Sequence, residues 1–121
     1  MRYIDIKVNS SDLELKKELE FNSPPITSGS VNDIACRFEL SDDWNDLDSI
    51  MAIFVGNNGK CGLALTDNTV IVPSECISAP NGELLVGLTG MGPSDQPDGY
   101  RQINTEYISL GVITQGASIY N

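Results

Sequence analysis

"ELSDDWNDLDSIMAIFVGNNGKCG", residues 39–62, holds the transition on which the reading of the whole chain turns. Asp42, Asp43, Asn45, Asp46 and Asp48 crowd around the chain's single tryptophan, Trp44, and an unbroken apolar run from Ile50 to Val55 follows at once. Just upstream, "IACRFEL" (34–40) alternates strictly, placing Ile34, Cys36, Phe38 and Leu40 on one side and Arg37 and Glu39 on the other. A period of two is the pattern of a strand with one wet face. The run 50–55 is apolar on both faces and reads as a central strand. Asn57-Asn58-Gly59 then supplies residues that tolerate positive φ, and "KCGLALTD" (60–67) is the expected hairpin partner. The stretch therefore reads as a strand, a wet corner, a central strand and a hairpin. Trp44 is expected to fold inward from that corner and plug the core, since a large aromatic between two strands gains most from burial.

The same period extends outward. "YIDIKV" (3–8) sets Tyr3, Asp5 and Lys7 against Ile4, Ile6 and Val8, and "LELKKELEF" (13–21) begins with Leu13 and Leu15 against Glu14 and Lys16, then sets Leu19 and Phe21 against Glu18 and Glu20. The double lysine 16–17 slips the parity, as a bulge or a short turn would. Residues 22–33, with Pro24-Pro25 and Gly29, read as a loop. Asp67-Asn68 turns into "TVIVP" (69–73), "SECI" (74–77) reads as a short helical turn capped by Ser74, and "NGELLVGLTGMG" (81–92) is a turn into a strand. The glycines of that strand predict close packing against a neighbouring backbone. Toward the end, Ile103, Thr105 and Tyr107, then Ile108, Leu110 and Val112, read as one long strand or two shorter ones. No helical repeat runs over ten residues. Short strands with frequent turn signals predict an all-β fold, an antiparallel β-sandwich with a small β-barrel as the alternative. Residues 1–121 are expected to form a single domain, with 113–121 as an interface strand or a tail.

Composition excludes several functions. Seventeen acidic against seven basic residues give a net charge of -10. That opposes binding to nucleic acid, whose affinity comes from clustered Lys and Arg, and to an anionic membrane surface. No apolar run is long enough to cross a bilayer, and the first residues lack the continuous apolar core of a secretory signal. Three cysteines in no CxxC arrangement point to reduced, mostly buried thiols made in a cytoplasm. Histidine is absent, which removes Ser-His-Asp and Cys-His triads and the usual zinc and iron sites. No glycine-rich phosphate cradle joins a strand to a helix. The reading is a chain that is not an enzyme and needs no cofactor.

The acidic corner offers Asp42, Asp46 and Asp48 as weak calcium candidates, although the spacing lacks the glycine and the closing glutamate of an EF-hand loop. Three function classes follow. The first is a structural protein acting through assembly. The second is a carbohydrate-binding module, calcium-assisted or not, using Trp44 and the tyrosines as a stacking platform. The third is an acidic nucleic-acid mimic that inhibits a host enzyme.

Three pieces carry a resemblance: "YIDIKV" at the start, "CRFELSDDW" (36–44) followed by "IMAIFV" (50–55), and "TVIVPSECI" (69–77) before "NGELLVGLTG" (81–90). In that order, over roughly residues 1 to 112, the chain resembles the amino-terminal β-sandwich modules of bacteriophage virion proteins, those of baseplate upper proteins and of head or tail fibres. The resemblance implies a non-enzymatic virion structural protein, made in a bacterial host cytoplasm, that attaches or decorates through protein–protein contacts. It implies a homo-oligomer, trimers included, and other virion proteins as partners. The apolar terminal stretch "ISLGVITQGASIY" (108–120) makes Ile113, Ile119 and Tyr120 the expected interface residues.

Overall fold

The computed structural model describes residues 1–16, 25–57, 59–94 and 97–117, and within them the chain is all-β. Its strands are β1 (Arg2–Asn9), β2 (Asp12–Leu15), β3 (Ile26–Thr27), β4 (Ile34–Leu40), β5 (Ser49–Gly56), β6 (Gly59–Ala64), β7 (Thr69–Ile71), β8 (Glu83–Gly92), β9 (Arg101–Asn104) and β10 (Ile108–Thr114). Short 3₁₀ turns at Asp42–Trp44 and Ser74–Ile77 interrupt them. Leu19, Phe21, Ile119 and Tyr120 lie outside the described residues.

Two sheets face each other in a sandwich-like arrangement. One has four strands in the order β2-β1-β4-β7, and the other runs β3-β10-β8-β5-β6, with β9 also paired to β8. The alternation seen in the sequence decides which side chains meet between them. Ile4, Ile6 and Val8 of β1, with Ile34, Cys36 and Phe38 of β4, face Ala52 and Phe54 of β5 and Leu84, Val86 and Leu88 of β8 in one buried cluster. β5 is central, paired to β6 on one side and β8 on the other. No polar or charged side chain among the described residues is buried.

Most pairings are antiparallel, but two are parallel: β1 with β4, and β3 with β10. The reason is the route of the chain. After the β1–β2 hairpin it passes to the edge of the other sheet at β3 and returns beside β1 as β4, so that β4 runs the same way as β1. A parallel neighbour needs such a crossover, and a local alternation pattern carries no trace of it. The return from the six-stranded to the four-stranded sheet uses Asp67-Asn68, both at positive φ (51° and 58°), between the bridged residues Thr66 and Thr69. That is the turn chemistry the two residue types predict.

β9 and β10 lie end to end along one edge of β8, pairing with Thr89–Gly92 and with Glu83–Val86 respectively. Thr105 bridges the break. Its backbone N–H donates to Leu88 O at 2.9 Å, and its hydroxyl oxygen accepts from Leu88 N–H at 2.8 Å. Further along, a bulge between Ser109 and Gly111, with Gly111 at φ 119°, reverses the parity. Val112, expected to share a face with Leu110, is therefore 61% exposed, and Ile113 takes the inward place. The turn at Ser74–Ile77 forms as expected, but Pro73 occupies the cap position and no side chain caps it.

Candidate functional site

The corner at residues 41–48 is a structural joint. Ser41 N–H donates to Val8 O at 3.0 Å, and the Ser41 hydroxyl accepts from Ser10 N–H at 2.9 Å and donates to Asp43 at 2.5 Å. That hydroxyl, followed by Ser10, holds the Asp43 carboxyl below the ordinary carboxylate range. Arg101 donates to Asp43 O at 2.9 Å, and Asp48 N–H donates to Met91 O, also at 2.9 Å. Trp44 is 1% exposed, and its Nε1 donates to Ser10 O at 2.9 Å. Its ring lies over Gly90, where an added Cβ would come within 2.8 Å of Cζ3. The tryptophan is a core plug and presents no ring face to a sugar.

Asp42, Asp46 and Asp48 are exposed on this corner. Among the described residues no group of three or more His, Cys, Asp or Glu side chains is placed to hold a metal ion. The corner's carboxylates and amides serve turn geometry and solvation. Of the three residues expected at an interface, Ile113 has no exposed surface and is paired through its backbone with Ile26. Ile119 and Tyr120 fall beyond what is described.

The outer face of the six-stranded sheet has the geometry of a site. Register sets Ile53 between Gly62 on β6 and Gly87 on β8. The ends of Ile53 and Met51 lean over Gly62, 3.3 Å from where a Cβ would stand. On the other side Gly87, with no side chain of its own, is buried under Thr105, Glu106 and the Tyr107 ring, and beside it a depression of about 320 Å³ opens, lined by Ile53, Lys60, Gly87, Thr89, Asn104 and Tyr107 among others. Tyr107, 45% exposed, forms one wall, its ring 3.2 Å from the place a Gly87 Cβ would occupy.

A ladder of polar groups runs from the depression along β8 and β9. The Thr89 hydroxyl donates to Asn104 Oδ1 at 2.6 Å, Gln102 Nε2 donates to the same oxygen at 3.0 Å, and the Tyr100 hydroxyl donates to Gln102 Oε1 at 2.7 Å. The alternation in "YRQINTEY" (100–107), with Tyr100, Gln102 and Asn104 on one parity, was the available signal. Tyr107 was beyond that signal, because the Thr105 break resets the parity before it.

Two thiols sit between the sheets. Burial pushes Cys36 up to about 12, and burial followed by the neighbouring Cys61 does the same to Cys76. Both are therefore protonated and poor nucleophiles at neutral pH. Comparison with known proteins finds no matching family model, no matching curated protein and no matching solved structure.

Proposed function

We propose that this chain is a non-enzymatic assembly module of a bacteriophage virion, attaching a fibre, baseplate or capsid component by packing against copies of itself and other virion proteins. The observation that supports assembly is the edge at β6, the last strand of the six-stranded sheet, which among the described residues pairs only with β5. Gly59, Lys60, Gly62, Leu63 and Ala64 are all exposed there, and Lys60 is the strand's single charge. A free strand edge presents unpaired N–H and C=O groups, which are a template for a further strand. Natural edges are usually blunted by several charges, a proline or a covering loop, and β6 has one lysine along six residues. The virion assignment itself rests on the resemblance in the order of elements.

The test is size-exclusion chromatography with light scattering over the micromolar range. An oligomer that survives 1 M salt is expected, because backbone pairing and apolar contact are little screened at that ionic strength. The double substitution Leu63→Lys, Ala64→Lys should shift it toward monomer with its fold intact by circular dichroism. A wild-type monomer throughout the range would overturn the reading.

A further inference from the structure

Going beyond assembly, we infer that the depression beside Gly87 on the outer face of the six-stranded sheet binds a neutral, polyhydroxylated ligand, a short oligosaccharide. Three features of the site carry this. The first is the shallow surface between Ile53 and the half-exposed Tyr107 ring, kept low because Gly87 between them has no side chain. An aromatic wall with an open approach suits the C–H face of a sugar ring, which stacks on π-systems without needing a charge. The second is the row Thr89, Asn104 and Gln102, whose mutual hydrogen bonds fix the side-chain amides before anything binds. Fixing such groups beforehand lowers the entropy cost of binding. Asn104 Oδ1 already accepts two hydrogen bonds, and the Asn104 amide nitrogen has no partner among the described residues, so it is left to donate to a hydroxyl.

The third feature is charge. Among the described residues Lys60 is the one ionic side chain lining the depression, and no carboxylate lines it. A carboxylate pair, which glycoside hydrolysis needs, is missing from that lining, so the chemistry offered is binding. The net charge of -10 repels polyanionic glycans, which leaves a neutral ligand with Lys60 Nζ as one more donor to an oxygen. At about 320 Å³ the depression lies at the small end of ligand sites, which range over about 300–1,000 Å³, and it is open to solvent. Weak binding, on the order of 1 mM, is expected from so exposed a contact.

The experiment is a ¹H–¹⁵N NMR titration of the intact chain with three neutral probes: an α-linked gluco-oligosaccharide, a β-linked one and an N-acetylglucosamine oligomer. At least one probe should shift the side-chain amide signals of Asn104 and Gln102 together with the backbone signal of Gly87. Tyr107→Ala should weaken that binding about tenfold, the loss of one aromatic stacking contact. Ile71→Ser, on the opposite sheet, should leave it unchanged. Absence of shifts at these positions with all three probes at millimolar concentration would overturn the inference. So would shifts confined to other parts of the surface, or binding that Tyr107→Ala does not alter. The oligomeric state is read separately by light scattering, so the two proposals fail independently.

Discussion

On the outside of the four-stranded sheet, Arg37 donates to both carboxylate oxygens of Asp5, at 2.7 and 3.0 Å, and lies 4.3 Å from the centre of the Tyr3 ring. Beside this pair Lys16 reaches Glu39 at 2.9 Å. On the outside of the six-stranded sheet, Met51, Ile53, Val55 and Leu85 are only half-covered, two glycines interrupt the middle row, and beside Lys60 the polar groups of the depression are neutral amides and hydroxyls. Both faces come from strands of ordinary length packed on one core. They differ in what their outward positions were given. Paired charges make a surface that is complete in water, where each pair contributes little. Half-buried apolar groups beside a position without a side chain leave room for something else to pack. The contrast places the candidate site on the second face.

The severest way to break this contrast is to remove what holds the two sheets in place. Trp44→Ala empties the plug at the end of the sandwich and should cost about 3–5 kcal/mol, read from urea unfolding. Gly90→Val attacks the same contact from the other strand. Its Cβ would stand 2.5 Å from Leu47 Cδ1 and 2.8 Å from Trp44 Cζ3, and overpacking of that kind costs about 1–3 kcal/mol. If either variant unfolded at the wild-type urea concentration, the corner would be a decoration on the fold.

A gentler test acts on the space between the sheets. Cys36 and Cys76 are raised from 9.0 to about 12, so between those values the folded chain keeps protons that the unfolded chain releases. Stability should be level near neutral pH and fall as the pH rises through about 9 toward 12. Over the same range Cys61, half-buried on β6, should be alkylated well before the other two, as mass spectrometry of iodoacetamide-treated protein would reveal. Early labelling of Cys36 would mean that the sheets part readily.

The smallest effect is expected on the charged face. Asp5→Asn removes the Arg37 partner, and surface pairs of this kind are worth at most about 1 kcal/mol. The Arg37 hydrogen bond holds the Asp5 carboxyl below its ordinary value of 3.8, and Lys16 does the same for Glu39. Their contribution is thus present at neutral pH and lost as the pH falls below about 4. Wild type and Asp5→Asn should converge in thermal midpoint in acid and in high salt. A difference that persisted in 1 M salt would assign Asp5 a role other than ion pairing.

How much of this was legible beforehand varies along the chain. The inward rows of β1 and β4, the central place of β5, the Asp67-Asn68 turn and the burial of Trp44 all follow from side-chain period and residue type, which act locally. The glycines of β8 announced a close approach of a neighbouring backbone without naming it; the Asp46–Asp48 backbone comes that close at Gly92, whereas Gly90 lies under the side chains of Trp44 and Leu47. Val112 was misplaced because a one-residue bulge reverses every later position. The Gly87 depression stayed hidden for a related reason: Ile53, Lys60, Asn104 and Tyr107 come from four separate stretches and meet only through register.

From its amino acids alone, then, this chain was committed to strands, to an acidic surface, and to a chemistry without histidine bases or phosphate cradles. These depend on what each residue is and on its nearest neighbours in sequence. The parallel partnership of β1 and β4, the side on which Val112 and Ile113 point, and the assembly of a depression beside a glycine were decided in three dimensions. Crossover route and strand register are set by which packed arrangement buries the most apolar surface, and that is a property of the whole chain at once.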